Sequence, residues 1–587
     1  MTQKQSPLAS LPRALQDLRE QVLLGRNLIM TGAPGTGKTY LAQALACDLI
    51  GLAEVDELAH SPQFAMVQFH PSIDYTDFIE GLRPTTYRSL VSTQEMSAAE
   101  QDGADAAGAS RDFSGANGEA SGASRGDSGT SRNAISAQPI PGQIAFAYRA
   151  GIFKEFCACA VRAEQAFQAV QQQKQAKLNS AFAQKLTALK QNIISVGYLE
   201  ALHLLNGQEV RTKYLKRQEG IYFDKAGASS SLSESKEDLR YYVDFNVLTQ
   251  LACAYPTQAQ IAQIKNSYTA FIAVVGTAVR GLSSYYWAVL RYIYEKYGDL
   301  AETLAELSIP GDASKKLRNE ESTSSNFSSS NDAASLSRSN GAAALSTSHG
   351  AAALSRSNGT AALSSVNGAV PKFVFVIDEI NRGELNKVLG ELFFSLDPGY
   401  RGPKGKVKTQ YQNLVPASDP FAEGFYVPNN VYVIGTMNDI DRSVSSMDLA
   451  MRRRFSWYEV KAQDNLSMLE VLADELPGFP NKVREVMTRL NQAIWNEELA
   501  QDELERQPSA RFGLNRHYHI GGAYFLNLVK YLTFDEQGQW EQSLAAALDK
   551  LWENHLQGVL FEYVRGQAQA EQWLYKVKQA YLNQSSN

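Results

Sequence analysis

The sequence predicts an α/β protein: a parallel sheet with helices on both faces, a C-terminal helical domain and a long, mostly helical insertion. Three observations carry that expectation. Short apolar runs at 27–31, 64–69, 373–377, 431–434 and 455–460 alternate with helical patterns, the signature of strands covered by crossover helices. A glycine-rich turn joins the first run directly to the helix that follows. Two stretches, about 88–140 and 312–370, are dominated by Ser, Ala, Gly and Asn and interrupt the pattern, because they lack the aromatic and branched residues that offset ordering entropy.

The chain has 587 residues, 44% hydrophobic and 10% aromatic, enough for two or three packed units. With 56 Lys plus Arg against 62 Asp plus Glu, its net charge is -6, which argues against a generally basic nucleic-acid coat. Four cysteines, Cys47, Cys157, Cys159 and Cys253, argue against a disulfide scaffold, and Cys157-Ala-Cys159 has no second Cys or His pair nearby to make a metal site. Residues 1–11 have no apolar core of the kind a secretion signal needs. The apolar stretch 268–290 is interrupted by Arg280 and diluted by Gly281, Ser283 and Ser284, so it reads as a buried helical hairpin rather than a membrane span. A cytoplasmic protein is expected.

In order, 14–24 is an amphipathic helix, 27–31 a strand, 40–52 a helix, 64–69 a second buried strand and 74–79 a short helix. A helical pattern resumes at 151–170. From about 162 to 310 the chain is mostly helical, with a strand-like patch at 210–223, and Lys plus Arg slightly outnumber Asp plus Glu. Its Tyr214, Tyr222, Tyr241 and Tyr242 together with that excess are compatible with nucleic-acid contact, while a helical spacer packing on the core is the favoured reading. The second low-complexity stretch repeats Leu-Ser-Arg-Ser-Asn-Gly-Ala-Ala-Ala every nine residues or so and reads as linker. A strand at 373–377, a helix at 385–396, a strand at 431–434, a helix at 446–451 and a strand at 455–460 follow. The expected division is therefore 1–87, first part of the core; 88–140, linker; 141–311, insertion; 312–370, linker; 371–462, second part of the core; 463–587, helical lid.

Gly32-Ala33-Pro34-Gly35-Thr36-Gly37-Lys38-Thr39 matches the phosphate-loop pattern G-x-x-x-x-G-K-[ST], with the required strand before it and helix after it. Glycines let backbone N–H groups turn toward phosphate oxygens, Lys38 reaches the β- and γ-phosphates, and the Thr39 hydroxyl completes a Mg²⁺ shell. The strand ending in Asp378-Glu379 supplies the other half: Asp378 for Mg²⁺, Glu379 as the base that polarises water. Asn438, at the end of the run 431–438, is a candidate to orient that water, or simply a turn-forming residue. Arg452-Arg453-Arg454 is either a surface basic cluster or the source of an arginine donated into a neighbouring subunit.

Together, the loop and the acidic and Asn-bearing strands resemble an AAA+ ATPase. Gln68-Phe69-His70-Pro71-Ser72, Tyr75 and Phe78-Ile79-Glu80-Gly81-Leu82-Arg83-Pro84 resemble the McrB family more closely. So do Gly151-Ile152-Phe153, Asp378-Glu379-Ile380-Asn381-Arg382 and Met437-Asn438-x-x-Asp441-Arg442-Ser443. The resemblance implies the P-loop AAA+ fold with a helical lid, hydrolysis of ATP or GTP with Mg²⁺, and a ring of six copies. It also implies a separate McrC-like nuclease subunit and methylated DNA as target. It gives Asn438 and Asp441 to a signature loop addressed by a stimulating partner, and makes Arg453 the first and Arg454 the second finger candidate. Gly522 and Ala523 stand where the family carries His and Ser. A MoxR-like or dynein-related protein-remodelling chaperone, and a scaffold that binds nucleotide without turnover, are the alternatives.

Overall fold

The computed structural model describes residues 13–86, 144–196, 241–276, 283–308, 369–440 and, with short gaps, 447–583, plus strand pieces between 202 and 223. They divide into two compact units, Met1–Glu164 with Ala343–Asn587, and Gln165–Ala342. Both linkers, the nine-residue repeat, Tyr214 and the Asp441-Arg442-Ser443 segment lie outside the described residues.

The first unit is built on strands β1 (Asn27–Thr31), β2 (Phe64–Gln68), β5 (Phe373–Asp378), β6 (Val431–Thr436) and β7 (Ser456–Glu459). Their order is β7-β1-β6-β5-β2, and every pairing is parallel. A parallel sheet covered on both sides needs strands that are apolar throughout, and β1, β5 and β6 are buried along their lengths. Alternate side chains enter opposite layers. Phe373, Phe375 and Ile377 join Phe78, Phe153 and Phe156 on one face, whereas Val374 and Val376 join Leu18 and Val22 of helix α1 (Arg13–Gly25) and Leu41 and Leu45 of helix α2 (Lys38–Ile50) on the other. Each such side chain contributes about 1.5–3 kcal/mol by leaving water. Phe78 stacks on Phe153 at 4.9 Å and meets Phe375 edge-on at 5.7 Å.

Three features differ from expectation. Strands β3 (Glu80–Thr86) and β4 (Ile144–Ala150) form an antiparallel hairpin, Glu80 opposite Ala150 and Thr86 opposite Ile144. Its base is held by a buried ion pair: Lys154 Nζ lies 2.5 Å from Glu80 Oε2, and Glu80 also accepts from Tyr148 Oη and the Tyr411 N–H. The helix expected at 151–170 runs from Ile152 to Val196. The 385–396 segment, expected as one helix, is α-helical only over Leu385–Leu389. Gly390, at φ 51°, breaks it into a 3₁₀ turn over Gly390–Leu396.

The C-terminal part of this unit is helical, as expected. Helix Phe479–Ile494 packs against Ala570–Leu582 around Trp552 and Trp573. The second unit carries a three-stranded antiparallel sheet (Thr212–Lys213, Gly220–Phe223, Tyr241–Asp244) in which Tyr222 pairs with Tyr242. Helices Phe245–Ala254, Ser267–Val275 and Ser283–Tyr297 pack around Trp287 and Leu248. The stretch read as a helical hairpin is thus two helices. Among the described residues no helix is long and apolar enough to cross a membrane.

Candidate active site

Three neighbouring parallel strands, β1, β6 and β5, end side by side, so whatever follows each strand is gathered at one edge of the sheet. After β1 comes the loop Gly32–Gly37. Gly35 and Gly37 take φ 74° and 79°, the left-handed region that side chains resist, and the loop delivers Lys38 to the first position of α2. Lys38 is buried, and its Nζ donates to the carbonyls of Gly32 (3.0 Å) and Ala33 (2.8 Å). Desolvation pulls its pKa down to about 8, against the opposing pull of Glu379, Asp439 and Asp378.

Asp378 ends β5. Its Oδ1 accepts from Thr39 Oγ1 at 2.8 Å and from Thr436 Oγ1, so one carboxylate oxygen ties the loop, the acidic strand and β6 together. Glu379 then turns into the left-handed region at φ 53°, a conformation that costs about 1–2 kcal/mol for a residue with a Cβ. Its N–H donates to Thr436 Oγ1 (3.2 Å), its Oε1 accepts from Asn438 Nδ2 (2.8 Å), and Arg382 Nε lies 3.5 Å from Oε2. Burial raises the Glu379 pKa, with Arg382 the largest opposing influence and Asp378 adding to the rise. Asn381, 6% exposed, donates to the Asn438 carbonyl at 3.4 Å. A backbone strained at Glu379 and an amide fixing its carboxylate are the marks of a positioned functional group.

Hydroxyl and carboxylate oxygens are the donor set of a hard cation, and Thr39 with Asp378 would supply Mg²⁺ with one of each, leaving the remaining positions to water and phosphate. The left-handed glycines and the charge of Lys38 suit a polyphosphate. The residues present therefore fit a magnesium–nucleoside triphosphate.

The three arginines differ. Arg452 lies over the Trp457 ring at 5.0 Å and remains exposed. Arg453 is exposed, and its side chain makes no hydrogen bond or ion pair among the described residues. Arg454 is only 7% exposed, stacks at 4.1 Å on Phe393 and donates to the Ala450 carbonyl, while its own carbonyl accepts from Asn27. Being turned into its own unit, it is poorly disposed to act in a neighbour. Asp441 lies outside the described residues.

Other participants carried no assignment from sequence. Thr436 was visible as the hydroxyl closing β6. Asp439 follows Asn438 and faces the lid: its carboxylate lies 3.4 Å from His517 Nδ1, and His517 is 3.6 Å from Glu459, which also accepts from Arg516 at 2.6 Å. Burial raises the Asp439 pKa, opposed by His517, Thr31 and Lys38. Asn465 and Gly521 touch the phosphate loop itself. The Gly521-Gly522 pair, two residues that add no bulk, was the only sequence signal for that contact.

Known proteins resemble parts of this chain. Residues 337–455 match the AAA domain of the dynein-related subfamily. The type IV methyl-directed restriction enzyme EcoKMcrB subunit of Escherichia coli (strain K12) is 35% identical over 159 residues, 26% of this chain and 30% of that protein. The type II restriction enzyme BsuMI component YdiS of Bacillus subtilis (strain 168) is 31% identical over 88 residues, 14% of this chain and 26% of that protein. The chain thus spans less than a third of either relative's length.

Proposed function

From the premise that this chain carries an AAA+ P-loop nucleoside-triphosphatase core of the McrB type, we propose that it is the motor of a modification-dependent DNA restriction complex. The observation that carries the proposal is the joining of loop, acid and Asn at one sheet edge: Thr39 and Thr436 on Asp378, Asn438 on Glu379.

In this reading Lys38 and the loop N–H groups bind the phosphates of ATP or GTP, and Thr39 and Asp378 hold Mg²⁺. The cation supplies charge neutralisation between the phosphates. Glu379 orients the attacking water and takes its proton. Burial favours that role, since a raised pKa makes the carboxylate a stronger base. Asn438 keeps the Glu379 carboxylate in line. Arg453, exposed just ahead of β7 and so at the end of the sheet away from Glu379, is the group a subunit would donate to its neighbour in a cytoplasmic homo-oligomeric ring, with six copies expected. An McrC-like nuclease would be the separate cutting subunit and methylated DNA the target. The second unit, with its paired tyrosines, is the candidate reader of that target.

The test is steady-state hydrolysis of GTP and ATP by the purified full chain, with and without methylated DNA. GTP turnover stimulated by methylated DNA is the expected result. Turnover of ATP alone, indifferent to DNA, would favour a protein-remodelling motor of the dynein-related type. No turnover of either nucleotide would sink the enzymatic reading.

A further inference from the structure

Every carbonyl of the loop from Gly32 to Thr36 accepts a hydrogen bond. Gly32 and Ala33 accept from Lys38 Nζ, and Ala33 also from Thr36 Oγ1 at 3.0 Å. The other three are held by the lid. The Gly521 N–H donates to the Pro34 carbonyl (3.0 Å), the Ala523 N–H to Gly35 (2.9 Å) and Asn465 Nδ2 to Thr36 (3.3 Å). In a trans peptide the C=O and the next residue's N–H point in opposite directions. Holding the carbonyls of Pro34, Gly35 and Thr36 toward the lid therefore aims the N–H groups of Gly35, Thr36 and Gly37 the other way. Those of Gly35 and Gly37 donate to no backbone carbonyl among the described residues.

We propose that the Asn465 side chain and the N–H groups of Gly521 and Ala523 form a carbonyl clamp through which the lid sets the nucleotide affinity of the phosphate loop. The clamp orients the loop's donors before a phosphate arrives, so lid and loop move as one binding element. Lid displacement releases nucleotide by freeing three peptide planes, with no lid side chain required to touch the nucleotide. The close approach depends on Gly521. A Cβ there would stand 2.2 Å from the Gly35 carbonyl carbon and 2.3 Å from the Thr36 nitrogen, while its φ of -83° is one that alanine adopts freely. The neighbouring Gly522 is different: a Cβ there would meet no backbone, only the side chains of Met468, at 3.3 Å, and Leu466, at 3.7 Å. Asn465 is 4% exposed and packs against Gly37 as well.

The inference rests on the nucleotide-binding reading, and the experiment separates the two. Fluorescent N-methylanthraniloyl GTP and ATP are titrated into the full chain, and kcat and KM are measured in parallel. Gly521→Ala is expected to raise Kd by about tenfold or more, and Asn465→Ala by about threefold to tenfold, the scale of one displaced or lost hydrogen bond. In both, kcat at saturating nucleotide should stay within about threefold, because the clamp acts on binding and not on Glu379. Gly522→Ala should stay within about twofold of wild type. Thermal melts establish that each variant is folded; if Gly521→Ala is not, Asn465→Ala decides alone. Folded variants that bind with wild-type Kd, or that lose kcat with Kd unchanged, overturn the clamp while leaving the site intact. A wild-type chain that binds neither nucleotide overturns both.

Discussion

The two sides of the candidate site are made differently. On the phosphate side, residues 32–37 act mainly through their backbone: glycines at positive φ, carbonyls turned to the lid, N–H groups turned away. On the opposite side stand side chains, the Glu379 carboxylate held by Asn438, and beyond them, ahead of β7, the three arginines differ in how each is buried. A backbone-made site is specified by a short contiguous pattern, because glycine spacing is the geometry. A side-chain-made site is specified by tertiary packing, so identical neighbours in sequence have different fates.

Arg453→Ala should produce the largest effect. Loss of a trans-acting arginine lowers turnover by about 10³-fold in the assembled ring, while nucleotide Kd in isolated subunits is unchanged. Equal loss of binding in dilute monomer would move Arg453 to its own subunit's site and erase the contrast. Glu379→Gln should lower turnover by about 10²-fold or more and keep binding, read by single-turnover hydrolysis and titration. Wild-type turnover in this variant would remove Glu379 as base.

Arg454→Ala should instead act on stability. It removes a cation stacked on Phe393 and leaves a cavity, at a cost of about 2–3 kcal/mol, seen as a lower midpoint in denaturant with the slope retained. A folded, stable variant with the turnover defect of Arg453→Ala would overturn this separation.

The smallest effect expected concerns His519 at the lid edge, where the imidazole bonds the Trp495 carbonyl at 2.8 Å. Burial lowers its pKa, so the folded state prefers the neutral ring. The unfolded chain then binds the proton first as pH falls below about 6.5, and stability declines from there toward the lower folded pKa. His519→Gln should flatten that decline in melts between pH 7 and 5; an unchanged slope would assign it to other groups.

Strands β1, β5 and β6 were legible because strands buried on both faces are continuous apolar runs. Helix α2 was legible because it follows the loop pattern. The hairpin β3–β4 was not, since Gly81 and Pro84 speak against a strand, and its partner lies beyond a low-complexity stretch. The fate of Arg454 was hidden for another reason: only the position of Phe393, which no periodicity reports, buries it. The clamp was hidden because two of its bonds join backbone atoms of residues nearly five hundred positions apart, for which side-chain identity is almost silent except at Gly521, and the third comes from Asn465, which no local pattern marks.

The buried Glu80–Lys154 pair fixes where β3 and β4 meet irrespective of the chain that joins them. With both ends anchored, the closure penalty of a loop joining two such strands grows only logarithmically, by about 0.6 kcal/mol for each doubling of its length. The hairpin is thus an insertion port. Sequence between those two residues can lengthen, shorten or be exchanged for a foreign domain with little effect on folding of the sheet behind it. That makes it the place to graft a reporter.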